Sequence, residues 1–129
     1  DVADPVALDR CLEGSDAVIY LIGILREFPS RGITFDGLQR VGVEDAIAAA
    51  KRQGLDRFIL MSANGVHVEG TPYQRSKALA EAALKASGRV EKRIPPNRPS
   101  RTSDAARSRM LLRTGGGNAV IFLLYPVRS

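Results

Sequence analysis

Two unbroken apolar runs limit what this chain can fold into. They are Ala17-Val18-Ile19-Tyr20-Leu21-Ile22, within residues 16–23, and Phe58-Ile59-Leu60-Met61, within residues 57–62. A strand with one wet face alternates apolar and polar residues. These runs do not alternate, and they are rich in β-branched residues, so each reads as a strand buried on both faces. Such strands belong to parallel sheets, with helices lying above and below them.

The neighbouring segments carry helix signals. Asp4-Pro5 offers a capping carboxylate and a proline at the first helical position, Val6, Leu8 and Leu12 give an apolar face, and Gly14 ends it. Residues 26–33 read as a loop. Thr34 begins a long helix to about residue 53, with Phe35, Leu38, Val41, Ala46, Ile47 and Ala50 on its buried side. Gly37 and Gly42 weaken that helix by about 1 kcal/mol each relative to Ala, which points to close packing or close approach of a ligand. After a turn at Asn64-Gly65, Thr71-Pro72-Tyr73-Gln74 fits a capping box and starts a helix to about Ser87. Strands alternating with helices imply an α/β fold with a parallel sheet.

The chain changes character at Gly88. Residues 1–88 hold ten Lys/Arg and twelve Asp/Glu, whereas residues 89–113 hold eight Lys/Arg and two acids. The net charge of +5 therefore belongs to the tail. Residues 89–129 read as a basic, poorly patterned segment, divergent or frame-shifted, with a last strand over residues 119–125. Its arginines could attract phosphates, but it lacks the interleaved aromatics that stack on bases, so nucleic acid is not the expected partner. The apolar run of residues 17–25 falls well short of the roughly 20 residues that span a bilayer. With no charged-then-apolar leader and a single cysteine, Cys11, the expectation is a soluble, cytoplasmic protein without disulfides. His67, the one histidine, has no ligand set around it in sequence, so no metal is expected.

The chemistry suggested by the sequence lies at Tyr73 and Lys77. Four residues apart on a helix, they share a face. A Lys ammonium near a phenol favours the phenolate, and such a Tyr can exchange a proton with a carbonyl or alcohol while a nicotinamide carries the hydride. The alternative is a Tyr packed at a helix start with its Lys in solvent.

Several strings together resemble the atypical short-chain dehydrogenases, near the NmrA-like proteins and the NAD(P)-binding accessory subunit of respiratory complex I. They are Asp1-Val2 with Asp4-Pro5, Gly14-Ser15-Asp16-Ala17-Val18-Ile19, Leu21-Ile22-Gly23-Ile24-Leu25-Arg26-Glu27, Thr34-Phe35, Arg57-Phe58-Ile59-Leu60-Met61-Ser62-Ala63 and Tyr73-Gln74-Arg75-Ser76-Lys77. The resemblance implies a partial Rossmann-like, doubly wound parallel sheet over residues 1–88, lacking its first βαβ unit, and thus a fragment. It implies NAD or NADP as cofactor, bound weakly or not at all by the fragment. Asp1 and Val2 would meet the adenine, Gly23 and Ile24 would lie against the dinucleotide, and Lys77 would hold the nicotinamide ribose. Tyr73, Lys77 and Ser62 would be the catalytic residues. The protein would act as an oxidoreductase, or as a non-catalytic accessory module of a respiratory or quinone-linked complex, with a homo-oligomer as another association.

Three departures from the family pattern stand out. No Gly-x-x-Gly-x-x-Gly turn is present to seat a pyrophosphate on a helix N-terminus. The family's Ser/Thr position falls on Ala63, with Ser62 one residue early and therefore on the opposite face. A helix position that often carries Asn in relatives falls on Gly42.

Overall fold

The computed structural model describes residues 1–88 and the backbone of two strands at residues 90–94 and 119–122. Helix α1 spans Pro5–Leu12, and the Asp4 carboxylate accepts from the Val6 and Ala7 amides. Leu8 and Leu12, four residues apart, are buried, but Val6 is 60% exposed. It sits about 200° around the helix from Leu8, so it cannot share that face. Strand β1 is Ala17–Tyr20, shorter than the apolar run, although Ile22 beyond it is still buried.

The helix that Thr34 begins is not uniform. Thr34 Oγ1 accepts from the Gly37 amide, as an N-cap does, and the Glu27 carboxylate accepts from the Phe35 amide. Residues Asp36–Val41 then form a π-helical segment, in which the Gly42 amide reaches back five residues to the Gly37 carbonyl. Helix α2 follows as Gly42–Arg52. A wider turn disturbs the usual ladder, and the Leu38 carbonyl accepts from the Tyr20 hydroxyl of β1 at 2.7 Å. A methyl group at Gly42 would overlap that hydroxyl. The glycine is there because a tyrosine of the sheet docks against the helix. The same register change leaves Phe35, Leu38 and Val41 only partly buried, not on a continuous buried side.

Strand β2 is Arg57–Met61, and helix α3 is Pro72–Ala86, opened by the reciprocal Thr71–Gln74 capping box. Strands β3, Val90–Ile94, and β4, Ala119–Phe122, complete a parallel sheet in the order β3-β2-β1-β4. Two of its strands thus come from the segment that composition sets apart, and residues 90–94 lacked the apolar pattern of a strand. The Arg-Pro-Ser at 98–100 and the triple glycine at 115–117 lie outside the described residues.

β4 pairs with β1 from Ala17 opposite Ala119 to Tyr20 opposite Phe122. In a Rossmann sheet of order 3-2-1-4-5-6 the first strand lies beside the fourth. The resemblance makes β1 the fourth strand, so β4 stands where the first would. β4 thus covers the edge of β1 that faces away from β2.

One apolar cluster joins Leu8 and Leu12, Val18, Tyr20 and Ile22, Val43, Ala46 and Ala50, Phe58 and Leu60, and Ala80 and Leu84. Val18, Tyr20 and Ile22 alternate onto the sheet face that meets the helices, and the Tyr20 and Phe58 rings stack at 6.5 Å. Ile19 points to the other face and is buried too, so β1 is covered on both sides, as its sequence implied.

Candidate functional site

The carboxyl ends of β1 and β2 bring the candidate residues together. In open α/β sheets this edge is where ligands enter. The chain leaves β1 through Gly23, Ile24 and Leu25, and β2 through Ser62 and Ala63. Helix α3 starts nearby and directs Tyr73 and Lys77 from successive turns.

Lys77 is not in solvent. It is 4% exposed, its Nζ donates to the Met61 carbonyl at 3.1 Å, and the same Nζ lies 3.4 Å from where a Cβ on Gly23 would stand. The ammonium thus bridges the two strand ends. Burial pulls its pKa below the ordinary Lys value, and the Glu81 carboxylate opposes that shift. The Tyr73 ring packs edge-on against Phe35, with centroids 5.6 Å apart.

Ser62 is buried, and its hydroxyl donates to Glu81 Oε1 of α3. That proton points at the helix and is not directed at a substrate oxygen. Ala63, on the opposite face of the chain, has no hydroxyl to offer. Gly42 does not face the site, because it packs on Tyr20. The amide that reaches the site from this helix belongs to Gln39, within the π segment. Gln39 is 1% exposed; its Nε2 donates to the Ile24 carbonyl at 3.0 Å, and its Oε1 accepts from Ser76 Oγ at 2.9 Å. The Ser76 hydroxyl lies equally close to the Tyr73 carbonyl and shares its one proton between the two acceptors. Gln39 therefore fixes the backbone at Ile24 and ties it to the helix that carries Tyr73 and Lys77.

Asp1 and Val2 are built differently. Asp1 is exposed and its carboxylate accepts from the Ala3 amide, while Val2 packs against the apolar cluster. Leu25 is 91% exposed beside the crevice. A groove of about 640 Å³ runs along the other side of α3, lined by Asp36, Arg40, Glu44, Arg75, Leu79 and Ala83. It shares no residue with the Lys77 site, and its charged walls are largely occupied by the Arg40 pairs with Asp36 and Glu44. The buried ammonium and the strand ends mark the site more strongly than this open groove.

Gln39, Ser76 and Glu81 were missed by sequence reasoning. For Glu81 a signal existed: it follows Lys77 by four residues, on the face that Ala80 and Leu84 bury. Among the described residues no buried side-chain N or O atom lacks a partner, no group of His, Cys, Asp and Glu could hold a metal, and no helix is long and apolar enough to cross a membrane.

Comparison with known proteins bears on the family and the fold. The profile of the NAD(P)H-binding family matches residues 1–96. None of the curated proteins matches the chain. Among solved structures, the Bordetella bronchiseptica enzyme WbmH in complex with NAD+ is similar at TM-score 0.62 and 18% identity, over 74% of this chain and 38% of that one. The Lactococcus lactis oxidoreductase ylbE gives TM-score 0.61 at 22% identity, over 81% and 51%. The dTDP-glucose 4,6-dehydratase DesIV of Streptomyces venezuelae, a double mutant with NAD and DAU bound, gives 0.56 at 21%, over 74% and 36%. The chain thus spans about a third to a half of the solved structures it matches, and at these identities the likeness is one of fold. By its family profile, over a Rossmann-like parallel sheet, the chain belongs to the NAD(P)H-binding family.

Proposed function

We propose that this domain holds the nicotinamide half of NAD or NADP across the carboxyl ends of β1 and β2, within an NAD(P)-dependent oxidoreductase. The observation that carries this reading is the Lys77 ammonium, buried yet turned toward the exposed backbone of Gly23. A cation is expensive to desolvate, so its place at an open strand end calls for a polar ligand. The donor set fits a ribose: a side chain at Gly23 would crowd the ammonium, and its absence leaves room for hydroxyls. The bound nicotinamide would supply a hydride to a carbonyl or accept one from an alcohol. Lys77 would donate to the ribose, and Tyr73 would exchange a proton between its phenol oxygen and a substrate carbonyl or alcohol. Gly23 and Ile24 would line the dinucleotide, and Asp1 and Val2 would meet the adenine.

A second reading is favoured by Ser62. Its hydroxyl is turned to Glu81 and Ala63 offers none, so the oxygen that would orient a substrate is missing. The protein would then bind the dinucleotide without turnover, as an accessory module of a respiratory or quinone-linked complex or within a homo-oligomer, gaining stability from the cofactor by mass action. Under either reading a reducing, cytoplasmic setting suits the exposed lone Cys11.

For these 129 residues we expect weak or absent dinucleotide binding, because the sequence contains no Gly-rich strand–helix turn for the pyrophosphate. Calorimetry with NAD and NADP measures it, and micromolar affinity would refute that expectation. Following nicotinamide absorbance with a panel of carbonyl compounds separates the two readings. Turnover lost in Tyr73→Phe supports the oxidoreductase, and saturable binding without turnover supports the accessory module. Saturable dinucleotide binding that Lys77→Met leaves unchanged overturns both.

A further inference from the structure

Glu81 lies one turn beyond Lys77 on α3 and is 6% exposed. A carboxylate buried to this extent needs a partner of opposite charge or several donors. Its Oε1 accepts from Ser62 Oγ, at the end of β2, one residue after the carbonyl that receives the Lys77 ammonium. Glu81 and Lys77 therefore each hold one of two adjacent residues, Ser62 and Met61. The two side chains clamp the same strand end from the same helix.

The groups that face Lys77 are few. β2 presents the Met61 carbonyl, the end of β1 presents Gly23, and the π segment presents the neutral amide of Gln39. On α3 itself Tyr73 lies one turn before it and Glu81 one turn after. Among the described residues Glu81 is the ionised side chain that acts on the ammonium.

We propose that Glu81 is a positioning residue for the nicotinamide site, the buried counter-ion that keeps Lys77 charged and, through Ser62, pins the end of β2 beneath it. The inference deepens the proposed function and takes its purpose from it. A ribose-holding lysine must stay protonated despite burial, and burial alone favours the neutral amine. Glu81 supplies the opposing field from the side away from the crevice. It acts through Lys77 and Ser62.

The test reads Lys77 directly on the full chain without dinucleotide. The chain has four lysines, and Lys77→Met assigns the signal in lysine-labelled NMR spectra recorded across pH. Glu81→Gln keeps an oxygen that can accept from Ser62 and removes only the charge. The Lys77 titration should move to lower pH in Glu81→Gln and return toward the native position in Glu81→Asp. An unchanged Lys77 titration in a folded Glu81→Gln protein overturns the proposal. Should Glu81→Gln fail to fold, Lys77→Met in the same chain decides: recovery of a dispersed spectrum in the double variant shows that the unpaired ammonium was the fault. A double variant that stays unfolded overturns the proposal. Because no dinucleotide is added, failure of the chain to bind NAD or NADP leaves this result intact.

Discussion

The surroundings of Lys77 and the turn at Asp1 are held in opposite ways. At the Lys77 end the hydrogen bonds join residues far apart in the chain: Ser62 to Glu81, Lys77 to Met61, Gln39 to Ile24 and Ser76 to Gln39. Their donors and acceptors are largely buried, where an unpaired polar group costs most. At the Asp1 end the carboxylate bonds to the amide two residues on, in an exposed turn. One end is thus formed by the fold and pre-ordered before any ligand arrives. The other is a local turn resting on the apolar cluster through Val2. If both regions meet a dinucleotide as proposed, the first would cost little entropy to order and the second would adapt.

Breaking the long-range knot should therefore unfold the domain more readily than any change at Asp1. Gln39→Leu keeps the approximate volume but leaves the Ile24 carbonyl and the Ser76 hydroxyl without this partner. With about 1–3 kcal/mol for each buried group left unsatisfied, the loss in urea unfolding should reach roughly 3 kcal/mol. Ser76 can still turn to the Tyr73 carbonyl, so the Ile24 side should carry most of it. A loss no larger than that of Asp1→Ala would break the comparison.

The same contrast governs how much could be read from the residues. Asp4 capping α1, the Thr71–Gln74 box and the two buried strands are local patterns, visible in windows of four to eight residues. The Tyr73–Lys77 pair was visible because both sit on one helix. Gln39 reads as an ordinary polar helix residue, since nothing beside it shows that the helix widens there or that Ile24 lies opposite. β3 was hidden because Glu91, Lys92 and Arg93 interrupt any apolar run. Its place comes from pairing with β2, from Arg57 opposite Val90 to Met61 opposite Ile94. Gly42 stood out as a place of close packing or close approach of a ligand, and only the fold decides for packing and names Tyr20 as the group there.

Gly42 gives the next test. An alanine methyl would overlap the Tyr20 hydroxyl, which is fully buried and held by the Leu38 carbonyl. A rigid ring cannot swing aside, so Gly42→Ala should destabilise by about 1–3 kcal/mol, as overpacking does, although alanine is the better helix former. Tyr20→Phe removes the obstructing oxygen and should restore part of the loss in the double variant. Gly42→Ala as stable as the parent would mean that the π segment yields easily and is no rigid wall of the site.

A smaller effect follows from the depressed Lys77 pKa. Its unfolded value is near 10.5, and burial lowers the folded one. Between the two the unfolded chain binds more protons, so this group makes stability rise with pH through the folded pKa. Tyr20 acts in the other direction. Burial, its main cause, and then Asp45 raise its pKa above 10.0, so stability falls once unfolded tyrosine ionises. The Lys77 contribution is therefore read as an upward slope of urea midpoint with pH ending near pH 10. Lys77→Met should flatten that slope, and a slope unchanged in the variant would place the titrating group elsewhere.

The smallest change in stability should come at Asp1. Its carboxylate is exposed and bonds only locally, so Asp1→Ala should shift unfolding by no more than about 0.5 kcal/mol. Its value lies in separating the two ends by ligand. If Asp1 and Val2 meet the adenine, Asp1→Ala should weaken NAD several-fold and leave nicotinamide mononucleotide, which has no adenine, unchanged in a competition assay. Lys77→Met should weaken both. Equal weakening of both ligands by Asp1→Ala would mean that the local turn acts through the fold. The difference between a pre-ordered end and an adaptable one would then not map onto the two halves of the dinucleotide.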